Sequence, residues 1–335
     1  MASDIDNFMF RDLHPMIHMG TASDRYAGWL GQIYPEERYR SRITRRSKAV
    51  GKQTVTEEVL PVESVTDYFR HFEVLEMDFT FYSLLLDKDR NPTQTYHVLE
   101  TYRKHLRGHD RLILKAPQAV FAQKLWKGGD FVQNPGYLDA EIFVSRFYEP
   151  ARNLLDSMIE GFLFEQEYQA KKDRQKPRQF AESMDDFFQR IPRDERYHVE
   201  VRTESLLSES YFQILEKHGV GQVLSHWTWL PSLRKQFEKA SRGFLNKGAR
   251  CIVRLMTPRN MRYEEAFIRA FPFDRLIEGM MTPAMVEDTV DLMTAAVKQG
   301  VHANVIINNR AAGNAPLVAQ KVAEKFSQTI PQELR

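Results

Sequence analysis

Two carboxylates stand two residues apart in VLEMDFTFY, residues 74–82, a segment that otherwise has the composition of a buried strand. Successive side chains of a strand point to opposite faces, so Glu76 and Asp78 share one face. Two like charges held away from water need nearby cations or solvent to compensate them. Paired acids of this kind could perform general acid–base chemistry if the rest of the chain supplies those cations.

Eight short apolar segments with strand composition recur along the chain, and segments with helical periodicity lie between them. The predicted strands are residues 16–20, 74–78, 112–116, 162–166, 197–201, 222–226, 251–255 and 304–308. The predicted helices include residues 62–72, 95–106, 137–161, 210–219, 233–245, 283–300 and 315–326. Eight alternating units are typical of an α/β protein of the (β/α)8 TIM-barrel type. A doubly wound open sheet is the alternative, but no linker divides the chain, so we expect a single domain over residues 1–335.

Alternate residues of a barrel strand point to the interior, and the residues between them point to the surrounding helices. When the apolar residues are assigned to the helix side, polar residues remain inside near the C-terminal ends of the strands. This inward set comprises Glu76, Asp78, Lys115, Gln166, Glu200, Arg202, His226, Arg254 and Asn308. Enzymes of this fold carry their active site at that end. The sequence therefore predicts a charged site in the mouth of the barrel, and a charge-balanced layer that only fills the barrel is the alternative.

The chemistry of these side chains suggests their roles. Glu76, Glu200 and Asp78 are the candidate catalytic residues, and Glu76 leads because a deeper position raises a carboxyl pKa. The candidate substrate-binding residues are Tyr82, Lys115, Gln166, Arg202, His226, Arg254, Asn308 and Trp29. No cofactor and no metal site are predicted. A divalent metal is a minor alternative, because the acids and His226 offer ligands but the nearby cations already neutralise the acids.

Three segments that follow predicted strands carry runs of basic residues. Residues 38–52 hold seven lysines and arginines, residues 169–178 hold five, and Arg259 and Arg262 follow strand seven. We interpret residues 38–60 as a basic insertion between strand 1 and helix 1. We expect it to be mobile over residues 38–52, because few apolar side chains anchor it. In a barrel these three segments rise from the same face as the inward polar residues, so together they form a basic rim around the mouth. A basic rim attracts phosphates, other anions or nucleic acid.

The overall composition excludes several classes of protein. The 335 residues are 42% hydrophobic with a formal net charge of +2, and the one cysteine, Cys251, allows neither a disulfide within the chain nor a cysteine zinc cluster. No apolar run approaches the roughly 18–20 residues that span a bilayer, so no membrane partner is predicted. Residues 1–15 are acidic and lack the basic-then-apolar order of a secretory signal, so we expect a cytoplasmic protein.

Several short motifs stand near the predicted strand ends. They are GTAS (20–23), LKAP (114–117), FEQ (164–166), VEVRTES (199–205), VRL (253–255) and INN (307–309). With Trp29 and the Tyr34-Pro35 pair, these motifs make the chain resemble the YecE-like family (domain of unknown function 72). The resemblance implies a TIM barrel and no settled activity. Two departures stand out: residues 256–259 replace the usual His-Gly-Arg segment, and Asp78 stands where the family tends to have Asn.

Three hypotheses about function follow. The first is a hydrolase-like or lyase-like enzyme that acts on a phosphorylated or otherwise anionic substrate in the barrel mouth. The second is a nucleic-acid-binding protein that uses the basic rim, with Trp227 and Trp229 stacking on bases. The third is a catalytically inactive barrel that serves as a partner-binding scaffold, which the loss of the His-Gly-Arg segment permits. The oligomeric state is not predicted.

Overall fold

Eight parallel strands close into a barrel in the computed structural model, which describes residues 8–334. The barrel strands are β1 (Ile17–Ala22), β2 (Val74–Met77), β3 (Arg111–Lys115), β4 (Ile159–Gln166), β5 (Tyr197–Val201), β6 (Gly221–His226), β7 (Arg250–Leu255) and β8 (His302–Ile307). Their order around the barrel is their order in the chain, and β8 pairs with β1. All eight predicted strands are therefore confirmed. Residues 1–7, on which part of the cytoplasmic expectation depends, lie outside the described residues.

Helices follow the strands and cover the outside of the barrel. They are α1 (Val65–His71), α2 (Gln94–Arg103), α3 (three consecutive segments, Ala140–Phe143, Val144–Tyr148 and Glu149–Leu155), α4 (Pro177–Arg190), α5 (Glu209–His218), α6 (Leu233–Lys239), α7 (Tyr263–Ala270), α8 (Pro283–Lys298) and α9 (Ala315–Thr329). Single helical turns occur at Glu36–Tyr39 and Gln118–Phe121. No helix within residues 8–334 has both the length and the apolar character needed to cross a membrane.

Local sequence sets where these elements begin and end. In α5 the Ser208 hydroxyl accepts the N–H of Tyr211 at 3.3 Å, and Gly219 ends the helix at a φ of +71°, a backbone conformation that favours glycine. The predicted helix 137–161 extended too far, because its last residues already belong to β4. Buried apolar runs do not distinguish a helix end from a strand start by periodicity alone.

The basic insertion is an antiparallel β-hairpin, which we call the basic hairpin, formed by Thr44–Val50 and Gln53–Val59. Residues 44–50 and 53–59 thus have regular strand structure that the sequence analysis did not predict, and the mobility of residues 38–52 stays a prediction. Arg45 lies directly opposite Glu58 and Arg46 opposite Glu57, with N–O distances of 2.9 and 2.8 Å. Opposite charges across neighbouring strands stabilise a hairpin. A second hairpin, Lys124–Lys127 with Asp130–Gln133, follows β3.

Candidate functional site

A buried arginine lies at the centre of the upper barrel. Arg254 extends from β7, and its Nη2 is 2.6 Å from Glu76 Oε1 of β2. Its Nη1 donates to Glu200 of β5 and lies 3.4 Å from Glu165 Oε2 of β4. The side chains of Arg254, Glu76 and Glu200 are completely buried. One guanidinium thus connects acids from three strands, an arrangement that tolerates burial because the charges compensate one another.

A second row of charges lies above this arginine, nearer the solvent. Lys115 Nζ is 2.7 Å from Glu165 Oε2 and 2.9 Å from Asp78 Oδ1. Arg202 Nη2 is also 2.7 Å from Glu165 Oε2, so this carboxylate binds two cations in addition to Arg254. We call the seven residues the charged layer: Glu76, Asp78, Lys115, Glu165, Glu200, Arg202 and Arg254. Its four acids exceed its three cations by one charge.

Aromatic rings help to hold two of these cations. The Lys115 ammonium lies 4.3 Å from the centre of the Phe81 ring, and the Arg202 guanidinium lies 4.1 Å from that of Trp227. Cation–π contacts of this kind are favourable where water is scarce. Phe81 is in the turn that begins at Asp78, directly after β2. The VLEMDFTFY segment therefore supplies acids and an aromatic contact to the same site.

The acids of the charged layer differ in their proton affinity. Burial raises the pKa of Glu76 above its usual range, although the charges of Arg254 and Lys115 oppose the shift. Burial also acts to raise the pKa of Asp78, but the charge and hydrogen bond of Lys115 outweigh it and hold that pKa below its usual range. For Glu165 the opposing cations, led by Arg202, likewise overcome desolvation and lower the pKa. Glu76 is thus the acid of these three with the strongest tendency to hold a proton.

Two buried oxygens of the charged layer are left without a partner. Glu76 Oε2 and Glu200 Oε1 accept no hydrogen bond from any described residue. Each carboxylate has only one oxygen engaged by Arg254. Buried acceptors of this kind are uncommon and costly, and a proton on the carboxyl group, a water molecule or a ligand donor would remove the cost.

The predicted inward orientation of Gln166 and His226 was wrong. Residues paired across parallel strands share a face, and Glu165 is paired with the inward Glu200, so Gln166 faces the helices. There it accepts a hydrogen bond from the Tyr137 hydroxyl at 2.9 Å. Glu165, which the sequence analysis missed, takes the inward position. An acidic residue near the end of the predicted strand 162–166 was the feature of the sequence that could have indicated this site residue.

His226 is on the outer side of β6 for the same reason. It pairs with the outward Leu255, whereas Ser225 pairs with the inward Arg254. Burial and the charge of Arg259 lower the pKa of His226 to about 4, and Asp288 of α8 acts in the opposite direction. His226 is therefore a neutral histidine between the barrel and the helix layer, and its side chain does not enter the mouth.

Trp29 and Tyr82 differ sharply in exposure. Trp29 is fully buried, and its Nε1 donates to Asn309 Oδ1 at 3.0 Å. It therefore supports the loop after β8 and cannot contact a ligand in this structure. Tyr82 is 66% exposed, and the charge of Asp78 is the largest cause that raises its pKa to about 12. Tyr82 lines the mouth, as predicted for a residue that contacts a ligand.

A cavity of about 330 Å³, the mouth cavity, lies over the charged layer. Asp78, Lys115, Glu165, Arg202 and Asn308 form its floor, and Arg46, Lys48 and Glu57 of the basic hairpin are part of its wall. Met256 also lines it, which places a thioether next to the position where the family usually has a His-Gly-Arg segment. Of the three candidate catalytic residues, only Asp78 lines this cavity. Glu76 lines a larger neighbouring cavity, and Glu200 lines neither.

Arg310 is a cation in the mouth that the sequence analysis missed. Its guanidinium lies 4.5 Å from the centre of the Tyr263 ring, and it forms no ion pair with any described carboxylate. Its buried Nε and the buried Nδ2 of Asn309 donate to no described acceptor. Both residues line the mouth cavity. The INN motif that directly precedes Arg310 was the available signal.

The charges of residues 38–52, the first segment of the basic rim, are largely compensated. Six of the seven cations in residues 38–52 pair with acids: Arg38 with Asp67, Arg40 with Glu36, Arg42 with Glu63, Arg45 with Glu58, and both Arg46 and Lys48 with Glu57. In the second segment, residues 169–178, Arg178 pairs with Glu182 at 3.0 Å. Pairing reduces the positive field that these segments were expected to present.

Metal ligands are not grouped in the part of the chain that the structure describes. Within residues 8–334, no set of three or more histidine, cysteine or acidic side chains is arranged to hold a metal ion. The acids of the charged layer face Arg254, Lys115 and Arg202 instead. That no cofactor is needed stays a prediction.

The fold and the site together define a (β/α)8 barrel whose polar residues converge on the C-terminal mouth, the usual place for a ligand in this class. The chain belongs to the family described as "Protein of unknown function DUF72", whose model matches residues 18–334. The resemblance seen in the strand-end motifs is therefore confirmed.

Solved structures of this family share the fold. A DUF72 family protein of Thermotoga maritima aligns with a TM-score of 0.53 at 17% identity and covers 93% of this chain and 99% of its own. One from Enterococcus faecalis aligns with a TM-score of 0.54 at 15% identity, covering 93% of this chain and 96% of its own. No curated protein matches the chain.

Proposed function

We propose that this protein is an enzyme, hydrolase-like in its chemistry, that acts on a phosphorylated or otherwise anionic substrate in the mouth of the barrel. The observation that carries the proposal is Arg310. It is a guanidinium in the wall of the mouth cavity without a carboxylate partner among the described residues, and its buried Nε lacks an acceptor. A desolvated donor of this kind is satisfied by a ligand oxyanion, which accepts charge-assisted hydrogen bonds.

The proposed roles follow from the position of each group. Arg310 binds the anion together with Asn309 Nδ2, while Lys115 and Arg202, which already compensate Glu165, supply further donors on the floor. Such groups, fixed in advance, stabilise negative charge that develops during the reaction. Asn308 and Tyr82 orient the substrate from the same cavity.

Glu76 is the proposed general acid or base. Its pKa is raised and its Oε2 is unpartnered among the described residues, so it can hold a proton and pass it on. It lines the larger cavity beside the mouth, and six residues line both cavities, Ser23, Tyr26, Arg46, Glu57, Phe79 and Phe273. The reacting bond is therefore proposed to lie where the two cavities adjoin.

Anion binding is the part of the proposal that can be tested without a known substrate. Inorganic phosphate titrated into the protein should bind about 10-fold more weakly to Arg310→Gln than to wild type, because a charge-assisted contact is lost. Arg269→Gln is the matched control, since Arg269 is 55% exposed on α7 and pairs with Glu265. Equal phosphate affinity in all three proteins would remove the basis for the proposal.

A test of catalysis begins with a screen for turnover of phosphoesters and sugar phosphates, with and without divalent metal. Once an activity is found, Glu76→Gln should reduce kcat by about 10²–10⁴-fold, the range for a general acid or base. Asp78→Asn should reduce it less, because relatives tend to carry Asn there. The reverse ranking would reassign the proton transfer to Asp78. If no compound turns over and alanine is tolerated throughout the charged layer, the scaffold hypothesis is favoured.

Nucleic-acid binding is the second candidate, and one observation favours it. The rings of Tyr168 and Trp229, both 43% exposed, lie 5.6 Å apart on neighbouring loops beside the lysines of residues 169–178. Exposed aromatic rings next to cations are typical of surfaces on which bases stack. If a single-stranded oligonucleotide binds there, its affinity should fall steeply with salt and fall again in Trp229→Ala. A flat salt response excludes this function.

A further inference from the structure

A second cavity of about 680 Å³ lies beside the mouth cavity, bordered by the basic hairpin, α2 and residues 271–273. Aromatic rings form much of its wall. Phe79 stacks on Tyr102 with ring centres 5.9 Å apart, and the edge of Tyr26 meets Phe273 at 5.4 Å. Small-molecule sites occupy about 300–1,000 Å³ and combine apolar walls with a few convergent polar groups. This cavity therefore has the size and lining of a binding site.

Asp24 is a buried carboxylate in this wall with one oxygen that accepts no hydrogen bond from the described residues. It is only 3% exposed, and its Oδ1 accepts one hydrogen bond, from the Tyr102 hydroxyl at 2.8 Å. Its Oδ2 has no partner among the described residues, and no described cation lies within ion-pair distance. The neighbouring Arg25 directs its Nε to the backbone carbonyl of Leu60 instead. A carboxylate left this way is costly to bury, and a donor from a ligand would remove the cost.

The other charges in the wall are compatible with a positively charged ligand. Arg45 and Arg46 line the cavity, but each pairs with an acid of the opposite hairpin strand, Glu58 or Glu57. Glu76 also lines the cavity but pairs with Arg254, which leaves Asp24 as the lining acid without an ion pair among the described residues and Arg25 as the remaining cation. Burial raises the pKa of Asp24 to about 6, with Tyr102 and Arg25 opposing the shift, so most of its carboxyl groups are ionised above pH 7.

We propose that this cavity is a second ligand site, distinct from the anion site at the mouth, for a small organic amine with an aromatic or apolar body. Its ammonium group pairs with Asp24 Oδ2. The body fills the space between Phe79, Val98 and Phe273. Glu76, the proposed general acid or base, also lines this cavity, but none of the contacts that hold the amine involves Arg310 or Lys115, the residues that bind the anion.

Two isosteric probes test the proposal, 2-phenylethylamine and 2-phenylethanol, titrated at pH 7.5 and followed by ligand-observed NMR. Wild-type protein should bind the amine about 10-fold more tightly than the alcohol, because a desolvated carboxylate favours a cation. Asp24→Asn should abolish the preference. Asp89→Asn, the same change at an exposed position, should preserve it. Thr95→Trp, which fills the cavity from α2, should abolish binding of both probes.

Arg310→Gln separates this site from the mouth, since it should leave amine binding unchanged even if phosphate binding proves absent. Equal affinity for amine and alcohol in wild type, or no saturable binding of either, would overturn the inference. So would a preference that persists in Asp24→Asn, or amine binding that survives in Thr95→Trp. If Asp24→Asn does not fold, the wild-type preference and the Thr95→Trp result decide the question by themselves.

Discussion

Arg254 compensates the charges of the buried acids in the barrel interior. Its guanidinium lies within ion-pair distance of Glu76, Glu165 and Glu200, and all four side chains are buried. Arg254 donates its closest hydrogen bonds to Glu200 and Glu76. Neither of these carboxylates accepts a hydrogen bond from any other described residue. Removing the arginine would therefore leave the desolvated Glu76 without an ion pair among the described residues, and Glu200 with only Arg202, whose Nε is 3.4 Å from Glu200 Oε2.

Replacing Arg254 with methionine should lower the free energy of unfolding by about 3–5 kcal/mol at pH 7, the cost of breaking a buried ion pair. Urea denaturation followed by circular dichroism measures the change. Arg178→Met is the control, because Arg178 is 89% exposed and its pair with Glu182 is at the surface. That variant should lose no more than about 1 kcal/mol. Similar losses in the two variants would mean that the charged layer is hydrated.

The basic hairpin is the element that sets the charge of the mouth. Its Glu57 carboxylate is largely buried and pairs with Arg46 at 2.8 Å and Lys48 at 3.0 Å. The Lys48 ammonium also lies 4.7 Å from the centre of the Phe267 ring, which joins the hairpin to α7. Because Arg46, Lys48 and Glu57 all line the mouth cavity, Glu57 reduces the attraction of this wall for anions.

Glu57→Gln should therefore strengthen binding of inorganic phosphate to the mouth, by roughly fivefold or ~1 kcal/mol, because two nearby cations lose their counter-charge. Titration calorimetry at low salt measures the affinity. Glu58→Gln is the matched control: Glu58 is the adjacent hairpin acid, and it lines the second cavity and not the mouth. The two substitutions change the net charge equally, so a similar gain in both would show that only overall charge matters.

Buried histidines connect the stability of the whole molecule to pH. Burial lowers the pKa of His18 and of His226 to about 4, and that of His198 below its usual range. Each binds a proton when the chain unfolds near pH 5, so each makes the folded state less stable as pH falls. Asp24 and Glu73, whose pKa values burial raises to about 6 and about 7, act in the opposite direction. The stability curve of the wild type is therefore a sum of opposed contributions.

Comparison of wild type with His226→Gln isolates one of these contributions. The free energy of unfolding of wild type relative to the variant should rise by about 1.4 kcal/mol per pH unit between pH 4 and pH 6.5, and stay constant above that window. Denaturant titrations at pH 4.5, 5.5 and 7.5 measure it. Phosphate affinity should not change. His97→Gln, at an exposed site, serves as the control. A pH-independent difference would mean that folding does not change the pKa of His226.

The positions of the strands could be predicted from the sequence, and so could the inward faces of β2, β5 and β7. Apolar side chains alternate there with Glu76, Glu200 and Arg254, and this period of two depends only on neighbouring residues. Lys115, Arg202 and Asn308 also proved to be inward for this reason. The family resemblance rested on short motifs at the same strand ends, which are likewise local.

Tertiary structure decided the rest, because it depends on pairing between distant segments. The register of β4 against β5 turned Glu165 inward and Gln166 outward, where Gln166 accepts a hydrogen bond from Tyr137. The sequence does not indicate which of two adjacent polar residues at a strand end faces inward. The acids that order the basic hairpin became its partners only through strand pairing. Closure of β8 on β1 completed the ring that places Arg310, more than 190 positions away in the chain, in the same cavity as Lys115.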